Sequence, residues 1–128
     1  IEADAPAPSS VGHVHVHTAE QSWALAWNEG LQTAGAVDAE LLQEYLFQRI
    51  FGISDARNDP RLKYAPGTRD SAGLKAEYAG QPGQALFELH SVTPEQLMHT
   101  ADRGGFLPPK STWIEPKLRS GLFIHEIQ

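Results

Sequence analysis

Two stretches near the start of the chain alternate apolar and polar positions with a period of two. In Val11–His17, Val14 and Val16 alternate with His13, His15 and His17. In Ser22–Asn28, Trp23, Leu25 and Trp27 alternate with small or polar residues. Period two sends successive side chains to opposite faces of a strand. Thr18–Gln21 between them offers polar turn residues, so the pair predicts an antiparallel hairpin. The period then changes. Leu42, Leu46 and Ile50, flanked by Leu41, Tyr45 and Phe47, recur at helical spacing and predict one buried stripe. Asp38 stands where an N-cap belongs, Gly52 ends the helix, and Ile53 is placed to fold back on the last turn.

Further along, Asn58-Asp59-Pro60 reads as a turn and Leu62–Ala65 as a short strand. Asp70 or Ser71 begins a second helix that runs to Ala79 and stops at Gly80, although Gly73 inside it lowers helix propensity. Ala85–Leu89 predicts another strand. Thr93-Pro94-Glu95-Gln96 carries three start signals of a third helix: a threonine cap, proline at the first position and glutamine three residues after the cap. Gly104-Gly105 ends it, and Gly121–Ile127 predicts a closing strand. The order ββαβαβαβ implies an α+β domain, a mixed sheet of about five to six strands with three helices. Residues 1–10, with Pro6, Pro8, Ser9 and Ser10 among alanines, read as a linker or tail, leaving 11–128 as a single domain.

A chain of 128 residues suits one domain with a real core and no staples. Without cysteine there is neither a disulfide framework nor a thiolate metal site, which is compatible with a reducing, cytoplasmic setting. No apolar run approaches the roughly 18–20 residues of a membrane span, so no membrane partner is expected. The N-terminus has no basic-then-apolar signal. The chain begins at Ile1, which reads as a piece cut from a longer protein. The net charge of −6 disfavours nucleic acid as a partner. The charge is unevenly spread. Residues 1–48 carry seven acidic side chains and no Lys or Arg, whereas residues 103–119 carry Arg103, Lys110, Lys117 and Arg119 against Glu115 alone. An acidic body with one basic corner suits a local anion site.

That corner holds the densest chemistry. Pro108, Pro109 and Pro116 stiffen a stretch that also contains Lys110, Ser111, Thr112, Trp113, Ile114, Glu115, Lys117 and Leu118. A loop that holds polar groups still presents them to a ligand or partner. The alternative is a rigid surface arm packed by Trp113 and Ile114. Gly104-x-x-x-x-Pro109-Lys110-Ser111 matches a phosphate-binding P-loop except at its second glycine. Proline has no amide to cradle phosphate, and the helix precedes the loop rather than following it, so a P-loop fold is rejected. Lys110 with Ser111 and Thr112 retains the means to hold phosphate by side chains. No local motif places a base beside either hydroxyl, so no catalytic residue is assigned.

His13, His15 and His17 share one strand face and form the obvious metal candidate. With no carboxylate at matching spacing nearby, they read instead as an exposed hairpin face that happens to be histidine. His90, His99 and His125 are scattered and read as structural. No cofactor is therefore expected in this chain.

The segment Ala101-Asp102-x-Gly104…Leu107-Pro108-Pro109-Lys110-Ser111-Thr112-Trp113-Ile114-Glu115-Pro116-Lys117-Leu118-Arg119-Ser120-Gly121-Leu122 resembles the C-terminal end of a large bacterial family, catalogued as domain of unknown function number one-zero-one-five. Leu41-Leu42 to Ile53-x-Asp55, Asp59-x-Arg61 to Pro66-Gly67, and Ala85-Leu86-Phe87 to Val92 extend the likeness over residues 11–127. Gly105-Phe106-Leu107 departs from it, standing where the family often has a methionine before the prolines. Members of that family are longer and carry an N-terminal Gly-His-His-Arg-type motif, similar to those of ParB-like proteins and SerK-type serine kinases. Some are described as ATP-dependent serine kinases. This chain has no such motif. The resemblance thus implies a C-terminal domain whose partner is the N-terminal domain of the same protein. ATP and Mg would serve the whole protein, and a nucleotide or phosphorylated small molecule would be its ligand.

Two functions remain open. In the first, Lys110, Lys117 and Arg119 clamp phosphate with Ser111 or Thr112, as half of a kinase-like site. In the second, the domain is a non-catalytic interaction module and Trp113, Ile114 and Leu118 anchor it to the other domain. Exposure separates them: a bare apolar face beside the loop favours docking, and a pocket of converging cationic ends favours anion binding.

Overall fold

In the computed structural model, residues 8–28, 30–32 and 35–112 are described here. The alternating stretches form the predicted hairpin. Strand β1, His13–His17, pairs antiparallel with β2, Ser22–Ala26, in the register His15↔Ala24 and His17↔Ser22. Thr18 closes the turn: its N–H bonds the Gln21 carbonyl at 2.9 Å, and its hydroxyl receives the N–H groups of Glu20 and Gln21. Helix α1 begins at Asp38–Leu41 and continues as a π-helical stretch, Leu42–Gln48. Helix α2 is built the same way, Ser71–Leu74 followed by π-helical Lys75–Ala79. Strand β3, Leu86–Leu89, then pairs antiparallel with β1, and α3, Pro94–Asp102, ends the described elements.

Among the described residues the result is α+β, with a three-stranded antiparallel sheet in the order β2-β1-β3 and three helices. This is smaller than the mixed sheet of five to six strands expected from the pattern. Leu62–Ala65 pairs with no strand among the described residues. The chain before it is held in a turn by Arg61, whose guanidinium folds back onto Asp59 at 2.6 Å and donates to the Phe51 carbonyl. The expected closing strand Gly121–Ile127 lies outside the described residues.

Each face of the sheet has its own cover. Val14, Val16 and Phe87 face one way, and Phe47 from α1 meets Phe87 edge-on at 5.6 Å between ring centroids. The opposite face carries the histidines of β1 and Glu88 of β3, and there Ser71 at the start of α2 donates a hydrogen bond to Glu88. The π-helical stretch alters the predicted stripe. Wider turns, with i→i+5 bonds such as Phe51 N–H to the Leu46 carbonyl, shift the facing positions. Leu42 stays buried and Phe47 turns to the sheet, while Ile50 rotates out to 67 % exposure. The helix ends as expected: Gly52 takes the left-handed conformation (φ 64°), and Ile53 is buried, with its N–H bonded to the Phe47 carbonyl.

Asp38 does not cap α1. Val37 is the N-cap and makes no side-chain cap bond. Asp38 is the first helical residue, and its carboxylate receives the Gly12 N–H and the Trp27 indole N–H, both at 3.0 Å, which ties the helix to the hairpin. Asp70 caps α2 through the Gly73 N–H. Thr93 and Gln96 form the predicted capping box on α3. Gln96 also reaches the Ala36 carbonyl, and Arg103 holds both oxygens of Glu40 at 2.7 Å, which fastens α3 to the start of α1.

Candidate functional site

The polar face of the sheet gathers three ligand-type side chains. His15 sits directly across from Glu88 on the β1–β3 pair, and His17 is two residues further along the same face. One nitrogen of each histidine and one Glu88 oxygen lie within 4.8 Å of one another. His15 and His17 are buried, at 9 % and 2 % exposure, whereas His13 is exposed and bonds Ser10 at 2.9 Å. The reading of all three histidines as an exposed hairpin face is therefore corrected. The carboxylate missing from the local sequence arrives from a strand 71 residues away from His17.

The ring of His17 is fixed at both nitrogens. Nε2 lies 2.8 Å from Glu88 Oε2 and Nδ1 lies 2.7 Å from Ser22 Oγ. A proton on Nε2 is donated to Glu88, and Nδ1 pairs with the Ser22 hydroxyl. Glu88 Oε1 accepts from the Ser71 hydroxyl. Ser22, His17, Glu88 and Ser71 thus form one hydrogen-bonded chain across three strands' width and into α2. His15 stands edge-on to His17, with ring centroids 6.2 Å apart, and its buried Nδ1 has no hydrogen-bond partner among the described residues.

The charges are arranged around that chain. Burial alone would push the Glu88 carboxyl up. The hydrogen bonds from Ser71 and His17, with the charges of His17 and Lys75, outweigh it and hold Glu88 below the ordinary glutamate range. Burial lowers the His15 pKa, and neighbouring His17 adds to this, which favours the neutral ring that can act as an acceptor. Imidazole and carboxylate together suit a divalent transition ion. Glu88 escaped the sequence analysis because strand pairing, not spacing, brings it to the histidines. Its signal was the lone acid at alternate spacing in Leu86-Phe87-Glu88-Leu89.

The Pro–Lys loop is a second candidate place. Pro108, Pro109, Lys110 and Ser111 form a turn in which the Ser111 N–H and hydroxyl both donate to the Pro108 carbonyl, at 3.3 and 2.7 Å. Lys110 is exposed, and its φ of 61° makes it the one non-glycine residue in the left-handed region among the described residues. Thr112 is also exposed, and Ser111 is half-buried with its proton committed to the turn. Phe106, just before the prolines, is 92 % exposed. Leu107, Pro108 and Pro109 border an open groove of about 470 Å³ whose far wall includes Gln43, Asp55, Arg57 and Asn58, and Lys110 does not line it. Of the four cations of the basic corner, Arg103 is bound to Glu40. Lys117 and Arg119 lie outside the described residues, as do Trp113, Ile114 and Leu118.

Comparison with protein-family models, with curated proteins and with solved structures finds no match to this chain. No helix among the described residues is long and apolar enough to cross a membrane.

Proposed function

We propose that this chain is the C-terminal domain of a two-part protein of the serine-kinase-like family it resembles, and that it presents the arm from Phe106 to Thr112 to the N-terminal domain. One observation carries the reading. A large aromatic at 92 % exposure stands next to a stiff Pro-Pro-Lys turn that lifts Lys110 into solvent. Backbone held in the left-handed region by a β-carbon residue costs about 1–2 kcal/mol, and such strain gathers at functional positions. Phe106 supplies apolar area for docking. Lys110 supplies a compact positive charge for a phosphate held by the other domain. Of the two functions, the bare apolar position beside the loop favours docking. Lys110 then acts across the interface, with Lys117, Arg119 and Thr112 as the remaining proposed phosphate contacts.

The whole protein tests this. Phe106→Ser is expected to split a single unfolding transition of the two domains into two. Lys110→Ala is expected to leave unfolding unchanged while nucleotide binding or serine phosphorylation falls roughly tenfold to hundredfold, the loss of one charge-assisted contact. A single transition retained in the Phe106 variant, with full turnover in the Lys110 variant, defeats the proposal.

A further inference from the structure

We propose that His15, His17 and Glu88 form a binding site for a divalent transition-metal ion of the Zn²⁺ type. The three ligand atoms already lie within 4.8 Å of one another. A tetrahedral ion with bonds of about 2.0–2.2 Å holds its donors roughly 3.3–3.6 Å apart, so the set has to draw in by no more than roughly 1.5 Å to close on an ion. Two imidazoles and one carboxylate leave a fourth position for water or for a ligand oxygen, the composition of open rather than closed zinc sites.

Three features separate this cluster from a chance meeting of polar residues. The first is the buried His15 Nδ1, a polar atom with no partner among the described residues. Such an atom costs free energy unless something supplies a bond. The second is the outer layer. When His17 Nε2 gives up its proton to solvent and turns from Glu88 to an ion, a proton on Nδ1 donates to Ser22, while Ser71 keeps its bond to the other Glu88 oxygen. Ligands oriented by hydrogen bonds at their far atoms are the usual mark of a built metal site. The third is the scaffold: both histidines and the glutamate stand on paired strands, where register fixes their positions. One feature opposes the ion. Lys75 of α2 is close enough for its charge to act on both His15 and Glu88. It serves as an internal probe, because removing its charge changes metal affinity only if the metal sits at this cluster.

The experiment uses the full 128-residue chain, first stripped with a chelator, then titrated with Co²⁺ under visible spectroscopy and with Zn²⁺ by calorimetry. One ion per chain is expected, with the intense visible bands of four-coordinate Co²⁺. His15→Asn and Glu88→Gln should each weaken Zn²⁺ at least tenfold. His13→Asn should change it less than twofold, and Lys75→Gln should tighten it. Zn²⁺ should also raise the melting temperature of the unmodified chain reversibly. Binding that survives Glu88→Gln, or that is lost with His13→Asn, overturns the site and assigns the metal to the exposed histidine. If Glu88→Gln does not fold, the Lys75 variant decides: tightening supports the site, and unchanged or weaker binding overturns it. This test is independent of the arm at Phe106–Thr112, and either proposal stands if the other fails.

Discussion

Asp38 and Glu88 are both carboxylates inside the protein, and they answer burial in opposite directions. At Asp38 burial wins and pushes the carboxyl up, against the Gly12 and Trp27 N–H groups and the charges of His90 and His13. At Glu88 burial also acts upward, but Ser71 and His17, with Lys75 beyond, hold the group below its ordinary range. Asp38 receives neutral donors from a backbone amide and an indole, groups whose protons do not come and go. Glu88 faces a hydroxyl and an imidazole, groups that can rotate, exchange donor and acceptor roles or, for the imidazole, bind metal. The first carboxylate is a fastener between helix and hairpin. The second belongs to a place where chemistry is possible. Burial alone does not tell them apart; the nature of the partners does.

The largest effect that sharpens the contrast is at the fastener. Asp38→Ala leaves the Gly12 amide and the Trp27 indole without an acceptor in a buried corner, and unfolding stability should fall by about 2–4 kcal/mol. Urea denaturation measures it, and a loss below about 1 kcal/mol would erase the structural role given to Asp38. Glu88→Gln, measured in chelator, should cost less, about 1–2 kcal/mol. The amide keeps an acceptor for one partner but gives up the charge that His17 faces.

Acid titration of stability separates the two by sign. The folded state depresses the Glu88 pKa, so its contribution is present above the ordinary glutamate value of 4.5 and is lost as pH falls through the folded value. Glu88→Gln should therefore flatten the acid limb of the stability profile. Asp38 is raised above 3.8, so its term is favourable below that value and is lost as pH rises through the folded value. Asp38→Asn should steepen the net gain in stability with rising pH over that window. Identical changes in both variants would show that the two sites titrate alike. The smallest effect is expected far from both: Lys110→Ala should shift stability by no more than about 0.5 kcal/mol, since the left-handed backbone strain is shared by alanine and the side chain is exposed.

Local signals were legible wherever a residue acts on its sequence neighbours. The hairpin, the capping box of Thr93 and Gln96, the Asp70 cap, and the stop at Gly52 with Ile53 folded back are all contacts within a few residues, where side-chain chemistry and backbone geometry decide the outcome. The misreadings share another cause. Asp38 has the residue type of a cap, but two donors from the hairpin captured it. Ile50 has the spacing of a core residue, but wider helical turns carried it into solvent. Leu62–Ala65 has strand-like residues, but no strand among the described residues lies beside it to accept its hydrogen bonds.

The three histidines of β1 show the division most clearly. Period two alone determined that His13, His15 and His17 share a face, because alternation is a property of the backbone. Which of them is buried, and what each one meets, depended on β3 pairing with β1 and on α2 lying over that face. Those contacts brought Glu88 and Ser71 to His17 and left His13 in solvent. The residue types and their order along one strand are written in the sequence. Which partner stands opposite is set by long-range pairing and packing, whose energies are spread over the whole domain and leave no mark at any single position.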